Sequence, residues 1–141
     1  MSGRSLRAAA ATMTVAAALA GCGSSSAESG RSPAACMIQK QGGGLTVQFT
    51  TNPCPAKGGT AATAQFTIKD SAGVVVQDAA VKVNYDMPSM NMRGGQQQAT
   101  LKGDAYESKL VLGMSGQWVV SVQVSRASSA PATVRFDVKA K

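Results

Sequence analysis

The sequence predicts an all-β protein, an immunoglobulin-like antiparallel β-sandwich of about seven strands. Between residues 45 and 138, apolar side chains alternate with polar ones at a period of two, which is typical of strands with one buried face. Turn-forming residues interrupt the alternation about every ten residues, and no part of this region repeats with a helical period. Short antiparallel strands of this kind bury their apolar faces by packing two sheets together.

The predicted strands differ in length, and the longer ones define the expected core. The inward-facing sets are Leu45, Val47 and Phe49; Ala64, Phe66 and Ile68; Val81, Val83 and Tyr85; Tyr106, Ser108, Leu110 and Leu112; Trp118, Val120, Val122 and Val124; and Val134, Phe136 and Val138. Two shorter strands are expected at 74–76 and 99–102, and a turn at 70–73. Tyr106 and Trp118 continue the inward alternation of their strands, so we expect both rings in the core.

Composition and charge exclude several classes of function. The chain has 141 residues, enough for one small domain, a formal charge of +7 and no histidine. Its lysines and arginines are scattered singly without interleaved aromatic residues, which argues against nucleic-acid binding. Without histidine, a Ser-x-x-Lys pair or a phosphate-binding loop, the sequence carries no recognisable catalytic group, and we expect no enzyme activity.

The N-terminal segment is typical of an exported lipoprotein. Residues 1–22 carry Arg4 and Arg7 near the start, continue with a small apolar run at 8–18 that is too short to span a bilayer, and end in Leu-Ala-Gly-Cys. That ending resembles the lipobox of bacterial lipoproteins, which implies that Cys22 is lipidated and becomes the first mature residue. The protein is then expected on the cell membrane, facing the periplasm or the cell exterior. A plain secreted protein or an uncleaved anchor is the alternative.

The remaining cysteines belong to the mature part of the chain. Residues 23–35 are small and polar and are expected to form a flexible tether, followed by a single domain at 36–141. Once Cys22 is assigned to the lipid, Cys36 and Cys54 are an even pair in an exported domain, and such a pair usually forms a disulfide. The alternative is a pair of thiolates that binds a metal.

Methionines are concentrated in one loop, which is the main candidate for a functional site. Met87, Met90 and Met92 lie within six positions, and Met114 lies in a Gly-Met-Ser-Gly turn. Thioether sulfur is soft and neutral, so it suits monovalent copper or silver and is a poor ligand for zinc, calcium or magnesium. The four methionines are therefore the predicted metal ligands, with monovalent copper as the expected ion.

The local geometry of this loop depends on the residues between the methionines. If Asn91 is extended, Met90 and Met92 point to the same face, and Pro88 fixes a bend that brings Met87 towards them. Asp86 would add an oxygen or attract the cation. Two alternatives remain open, since methionine also fills gaps in protein cores and forms adaptable contact surfaces for partner proteins.

The order of these features resembles the YtkA-like domain family over about residues 61–141. The matching residues are the strand 81–86, the Met-Pro-Ser-Met-Asn-Met run that follows it, Tyr106, the Met-Ser-Gly-Gln-Trp run at 114–118 and the closing strand. The resemblance implies an immunoglobulin-like sandwich of the bacterial envelope, related to FixH-like proteins that are linked with metal pumps and oxidase assembly.

The core of the loop, Pro-Ser-Met-Asn-Met, is also similar to the methionine motif of periplasmic copper and silver efflux chaperones. Those proteins add a histidine, which this chain lacks. Together the two resemblances imply that a membrane metal transporter or an oxidase-assembly protein is the partner. The alternative is a structural or accessory lipoprotein that uses the same loop to contact a membrane protein.

Overall fold

The computed structural model describes residues 36–141, which fold into eight antiparallel strands and one 3₁₀ turn. The strands are β1 (Met37–Gly42), β2 (Leu45–Asn52), β3 (Thr60–Lys69), β4 (Ala80–Met87), β5 (Met92–Lys102), β6 (Ala105–Leu112), β7 (Gly116–Arg126) and β8 (Ser129–Ala140). The expected signal segment 1–22, its Cys22 and the tether 23–35 lie outside the described residues. None of the helical structure in residues 36–141 is long and apolar enough to cross a membrane.

The strands pair in the order β1-β2-β3-β6-β5-β4-β7-β8. Strand β5 joins the two halves, because its residues from Met92 to Ala99 pair with β4 while Thr100, Leu101 and Lys102 pair with β6. The outer strands β1 and β8 approach each other, and Lys40 Nζ lies 3.4 Å from Asp137 Oδ2 between them. The two halves therefore enclose one core, and the antiparallel β-sandwich predicted from the sequence is confirmed.

Most of the core consists of the side chains that the alternation predicted, and Met87 and Val76 are among the further residues that complete it. Every member of the six inward-facing sets is buried, including Tyr106 and Trp118. The Phe49 ring packs against both Phe66 and Phe136, with ring centroids 5.1 Å and 5.2 Å apart, and so connects β2 with β3 and β8. These aromatic contacts stabilise the packing of one half of the sandwich on the other.

Three strand predictions differ from the structure. Strand β1 was not predicted, since its sequence, Met-Ile-Gln-Lys-Gln-Gly, shows little alternation; its pairing with β2 forms it. The predicted strand at 74–76 is wrong, because Asp70 Oδ1 accepts hydrogen bonds from the backbone N–H groups of Ala72 and Val74 and extends the turn. Only a single bridge joins Val75 to the neighbouring strand. Strand β5 begins at Met92 rather than at residue 99, because its polar first half pairs with β4.

The predicted disulfide is confirmed. Cys36 and Cys54 are bonded, with their Cα atoms 5.5 Å apart and 18 positions apart in the sequence. The bond ties the residue before β1 to the loop that follows β2. In the chain-entropy model a crosslink closing a loop of this size contributes about 3 kcal/mol to stability.

Candidate functional site

All four candidate methionines lie at one end of the sandwich, which we call the methionine end. There β2, β4, β6 and β8 finish and β1, β3, β5 and β7 begin. Backbone hydrogen bonds tie the loops of this end together: Gly58 N–H donates to the Lys141 carbonyl at 2.8 Å, and Gly59 N–H to the Leu112 carbonyl at 2.6 Å. These bonds join the loop between β2 and β3 to the ends of β6 and β8, and so support the turn after β6 that carries Met114.

The methionine loop, residues 87–92, is a tight turn between β4 and β5. Pro88–Met90 form a single 3₁₀ turn, and the Asn91 N–H donates to the Pro88 carbonyl at 3.1 Å. Asn91 adopts a left-handed conformation with φ 50° and ψ 35°, which asparagine tolerates better than most residues. The expectation of an extended Asn91 that places Met90 and Met92 on one face is therefore wrong.

A β-bulge decides which way Met92 points. In the pairing of β4 with β5, Tyr85 faces Gly95 while Asp86 faces Arg93, so Gly94 is an extra residue on β5. Because side chains alternate along a strand, this extra residue turns Arg93 to the outer face and Met92 to the inner face. Met92 is half-buried against the core as a result, directly opposite Met87.

The four methionines differ in exposure. Met90 is 61% exposed and Met114 39%, Met92 is half-buried, and Met87 is only 2% exposed. Met87 continues the inward positions of β4, and its side chain lies over Gly116, where an added Cβ would come within 2.8 Å of Met87 Cε and 3.8 Å of its sulfur. Met87 thus connects the methionine loop with the start of β7, two residues after Met114.

The only tryptophan, which lies in the core, holds the backbone of Met114 by a hydrogen bond. Trp118 is fully buried, and its Nε1–H donates to the Met114 carbonyl at 3.0 Å. The Tyr85 ring lies beside it, with ring centroids 6.3 Å apart. Hydrogen bonding thus fixes the main chain of the turn while the Met114 side chain remains open to solvent.

Asp86 lies next to the methionine loop but on the outer face of β4. Together with Pro88, Asn91, Met92 and Arg93 it lines a surface depression of about 490 Å³. Asp86 pairs with Arg93 across the two strands, and both side chains lie on the outer face, whereas Met92 points to the inner face. Attraction of a cation to this depression by Asp86 is therefore offset by the neighbouring arginine.

Cysteine and carboxylate side chains form no metal site in the described part of the chain. Among residues 36–141 the cysteine, aspartate and glutamate side chains form no group of three that could hold a metal ion. A metal site built from the described residues at this end would therefore depend on thioether sulfur.

Sequence reasoning missed the residues that position the methionines. Gly94 is the extra residue of the bulge, Gly116 leaves room for the Met87 side chain, and Asn91 closes the turn. The only signal for Met87 was the alternation itself, since extending the inward series of β4 by two residues predicts a buried side chain.

One comparison with known proteins identifies the family. The model of the family described as YtkA-like matches residues 39–123, from β1 into β7. The match begins earlier than the resemblance inferred from the motifs and leaves β8 outside, yet it includes the methionine loop, Met114 and Trp118. A comparison with curated proteins gave no match. Because the family model covers more than half of the sequence, the chain belongs to the YtkA-like family.

Proposed function

We propose that this protein is a non-catalytic, lipid-anchored envelope protein that binds or delivers monovalent copper through the thioethers of the methionine end. The observation that carries the proposal is the pair of exposed methionines, Met90 and Met114, on two adjacent loops. Both loops have hydrogen-bonded backbones, and the half-buried Met92 stands at the base of the first. Exposed thioethers on a fixed backbone offer soft donors to an ion from solution.

The exposure of each side chain divides the predicted ligands into two groups. Met90 and Met114 are exposed and Met92 is half-buried, and we assign these three the main role. Met87 is buried against Gly116, so it reaches an ion only if that contact opens. We therefore assign Met87 the smallest contribution of the four.

The charge of this end favours a monovalent ion over a divalent one. Lys57, Lys139 and Lys141 are exposed at the same end and repel cations. Coulomb repulsion grows with the charge of the ion, so a divalent ion loses about twice as much free energy as a monovalent one. The soft donors and the surrounding positive charge thus both favour monovalent copper or silver over divalent ions.

Replacing Met90 and Met92 together with leucine should weaken binding of monovalent copper at least about tenfold, because two of three donors are lost. Leucine keeps most of the volume and apolar character, so the fold should survive. Binding is measured on the mature chain under conditions that keep copper monovalent but leave the disulfide intact, by competition with a chromophoric chelator, and silver serves as a redox-stable probe. Since thioethers have no proton to lose, wild-type affinity should change little between neutral and mildly acidic pH.

Met37→Leu is the matched control, since Met37 is an exposed methionine at the same end but outside both loops. The control should bind like the wild type, and Met87→Leu should lie between the control and the double variant. If the wild-type protein bound no more tightly than the double variant, the methionines would serve packing alone. A membrane protein captured by the wild type but not by the double variant, without metal binding, would favour the accessory role, which the 61% exposure of Met90 also suits.

The lipid anchor has its own test. Cells that express the wild-type protein should incorporate radiolabelled palmitate into it, because Cys22 ends the lipobox. Cys22→Ser removes the acceptor thiol and should abolish labelling, while Cys36 and Cys54 remain in their disulfide in both proteins. Equal labelling of the two proteins would exclude Cys22 as the lipidated residue.

A further inference from the structure

The geometry points to the methionine end as a docking surface for an anionic lipid bilayer, so that the candidate copper site faces the membrane. The inference deepens the proposed function and rests on the proposed lipid anchor for the orientation of the domain. Three independent features support it: the distribution of charge, the exposed apolar side chains and the place where the chain enters the domain.

Charge is concentrated at the methionine end. Six basic side chains lie in its loops or within the first or last four residues of a strand there: Lys40, Lys57, Arg93, Lys109, Lys139 and Lys141. The same region holds two acidic side chains, Asp86 and Asp137, and Lys40 already pairs with Asp137. The rest of the described chain has five basic and four acidic side chains. Most of the net positive charge of the described residues therefore lies at the methionine end.

At the opposite end the charges are largely neutralised within the protein. Arg126 Nε lies 3.2 Å from Asp78 Oδ1, and Lys102 Nζ lies 2.5 Å from Glu107 Oε1. The hydrogen bond from Lys102 lowers the pKa of Glu107, with a smaller contribution from a hydrogen bond from Gln65. An anionic surface is therefore attracted more strongly to the methionine end than to the opposite end.

The exposed apolar side chains are concentrated at the same end as the positive charge. Four of the six large hydrophobic side chains exposed in residues 36–141 lie at the methionine end: Met37, Met90, Val111 and Met114. Basic residues combined with exposed apolar side chains are the composition of surfaces that bind the headgroup region of membranes. A bilayer would cover the methionines, while the lysines would contact anionic headgroups.

The chain also enters the domain at this end. Cys36 precedes β1, and its disulfide to Cys54 holds the entry point beside the loop that carries Lys57. Thirteen residues separate Cys22 from Cys36, and a chain of that length spans at most about 45 Å. An anchor at Cys22 would thus be joined to the domain at the methionine end and would keep that end within about 45 Å of the membrane.

The test uses the metal-free mature chain from residue 22 with Cys22→Ser, so that neither a lipid nor copper contributes. This protein should cosediment with vesicles made from equal parts of phosphatidylcholine and phosphatidylglycerol, and not with phosphatidylcholine alone. Raising the salt concentration from about 0.1 M to about 1 M should release it, because the Debye length falls from about 10 Å to about 3 Å.

Two double variants with the same change in net charge distinguish binding through the methionine end from attraction of the whole protein to the vesicles. Lys57→Glu with Lys139→Glu should reduce binding to the mixed vesicles at least about tenfold. Lys69→Glu with Lys82→Glu changes the net charge by the same amount at two exposed sites outside the methionine end, and should reduce binding much less. No binding to the mixed vesicles, or equal loss in the two variants, would overturn the inference. Either result would leave the copper and palmitate experiments unaffected.

Discussion

Replacing Trp118 with alanine should lower the free energy of unfolding by about 3–5 kcal/mol, the range for truncating a fully buried large aromatic side chain. Trp118 is completely buried beneath the methionine loops, in contact with the Tyr85 ring. Truncation leaves a cavity that the hydrogen-bonded strands on either side cannot close. It also removes the hydrogen bond from Nε1 to the Met114 carbonyl.

Two controls locate the origin of that loss. Trp118→Phe keeps most of the apolar volume and removes the donor, so it should cost about 1–2 kcal/mol, since water can replace a hydrogen bond to an exposed turn. Gln117→Ala changes an exposed neighbour on the same strand and should stay within about 0.5 kcal/mol of the wild type. Unfolding in urea is followed by circular dichroism, because fluorescence is lost with the tryptophan. A loss below about 1 kcal/mol for Trp118→Ala would contradict this account of the core.

The core could be predicted from the sequence because each long strand buries one face. Period-two alternation needs no knowledge of the partner strand: a residue such as Val83 is inward whichever neighbour it pairs with. The same rule reaches Met87, whose position continues that of Val83 and Tyr85. The position of Met87 in this series predicts a buried side chain, although its sulfur is chemically suited to bind a soft metal ion.

The predictions that failed depend on hydrogen bonds that the apolar alternation does not reveal. Strand β1 has a weak pattern and forms because β2 presents a free edge, while the segment after Asp70 has a β-branched run that looks like a strand. There the Asp70 carboxylate accepts hydrogen bonds from the Ala72 and Val74 N–H groups and forms a turn, so the segment returns to β3 through a single bridge at Val75. At such turns, side-chain hydrogen bonds to the backbone outweigh the strand propensity of the residues, and the segment does not form a regular strand.

The candidate site was predictable in its composition but not in its geometry. The sequence places four methionines near two turns, and the structure brings those turns to one end. The inward direction of Met92 comes from an unpaired glycine in β5, and the burial of Met87 from the space above Gly116. The alternation along β4 predicts that Met87 points inward, but neither the bulge nor the contact with Gly116 has a local signal, because both are set by the register between strands that meet only in the folded protein.

Gly94→Ala should therefore have an effect as large as that of Trp118→Ala, although it adds only one methyl group. A Cβ at Gly94 would lie 2.5 Å from both Tyr85 Cδ2 and the Tyr85 carbonyl oxygen, and 2.7 Å from Trp118 Cζ3. The carbonyl belongs to the backbone of β4 and cannot move without disturbing its pairing. We expect a loss of about 3 kcal/mol or more in the free energy of unfolding, at the upper end for overpacking.

The same substitution tests whether the bulge controls the site. If the bulge shifts to relieve the clash, Met92 leaves its place opposite Met87, so copper affinity should fall in protein that is still folded. Gly113→Ala is the matched control: it lies in the neighbouring turn of the methionine end, and a Cβ there meets nothing within 4 Å. That control should keep both stability and copper affinity within about 0.5 kcal/mol of the wild type. If Gly94→Ala matched the control in both measurements, the close packing of Gly94 on Tyr85 and Trp118 would not determine the position of Met92.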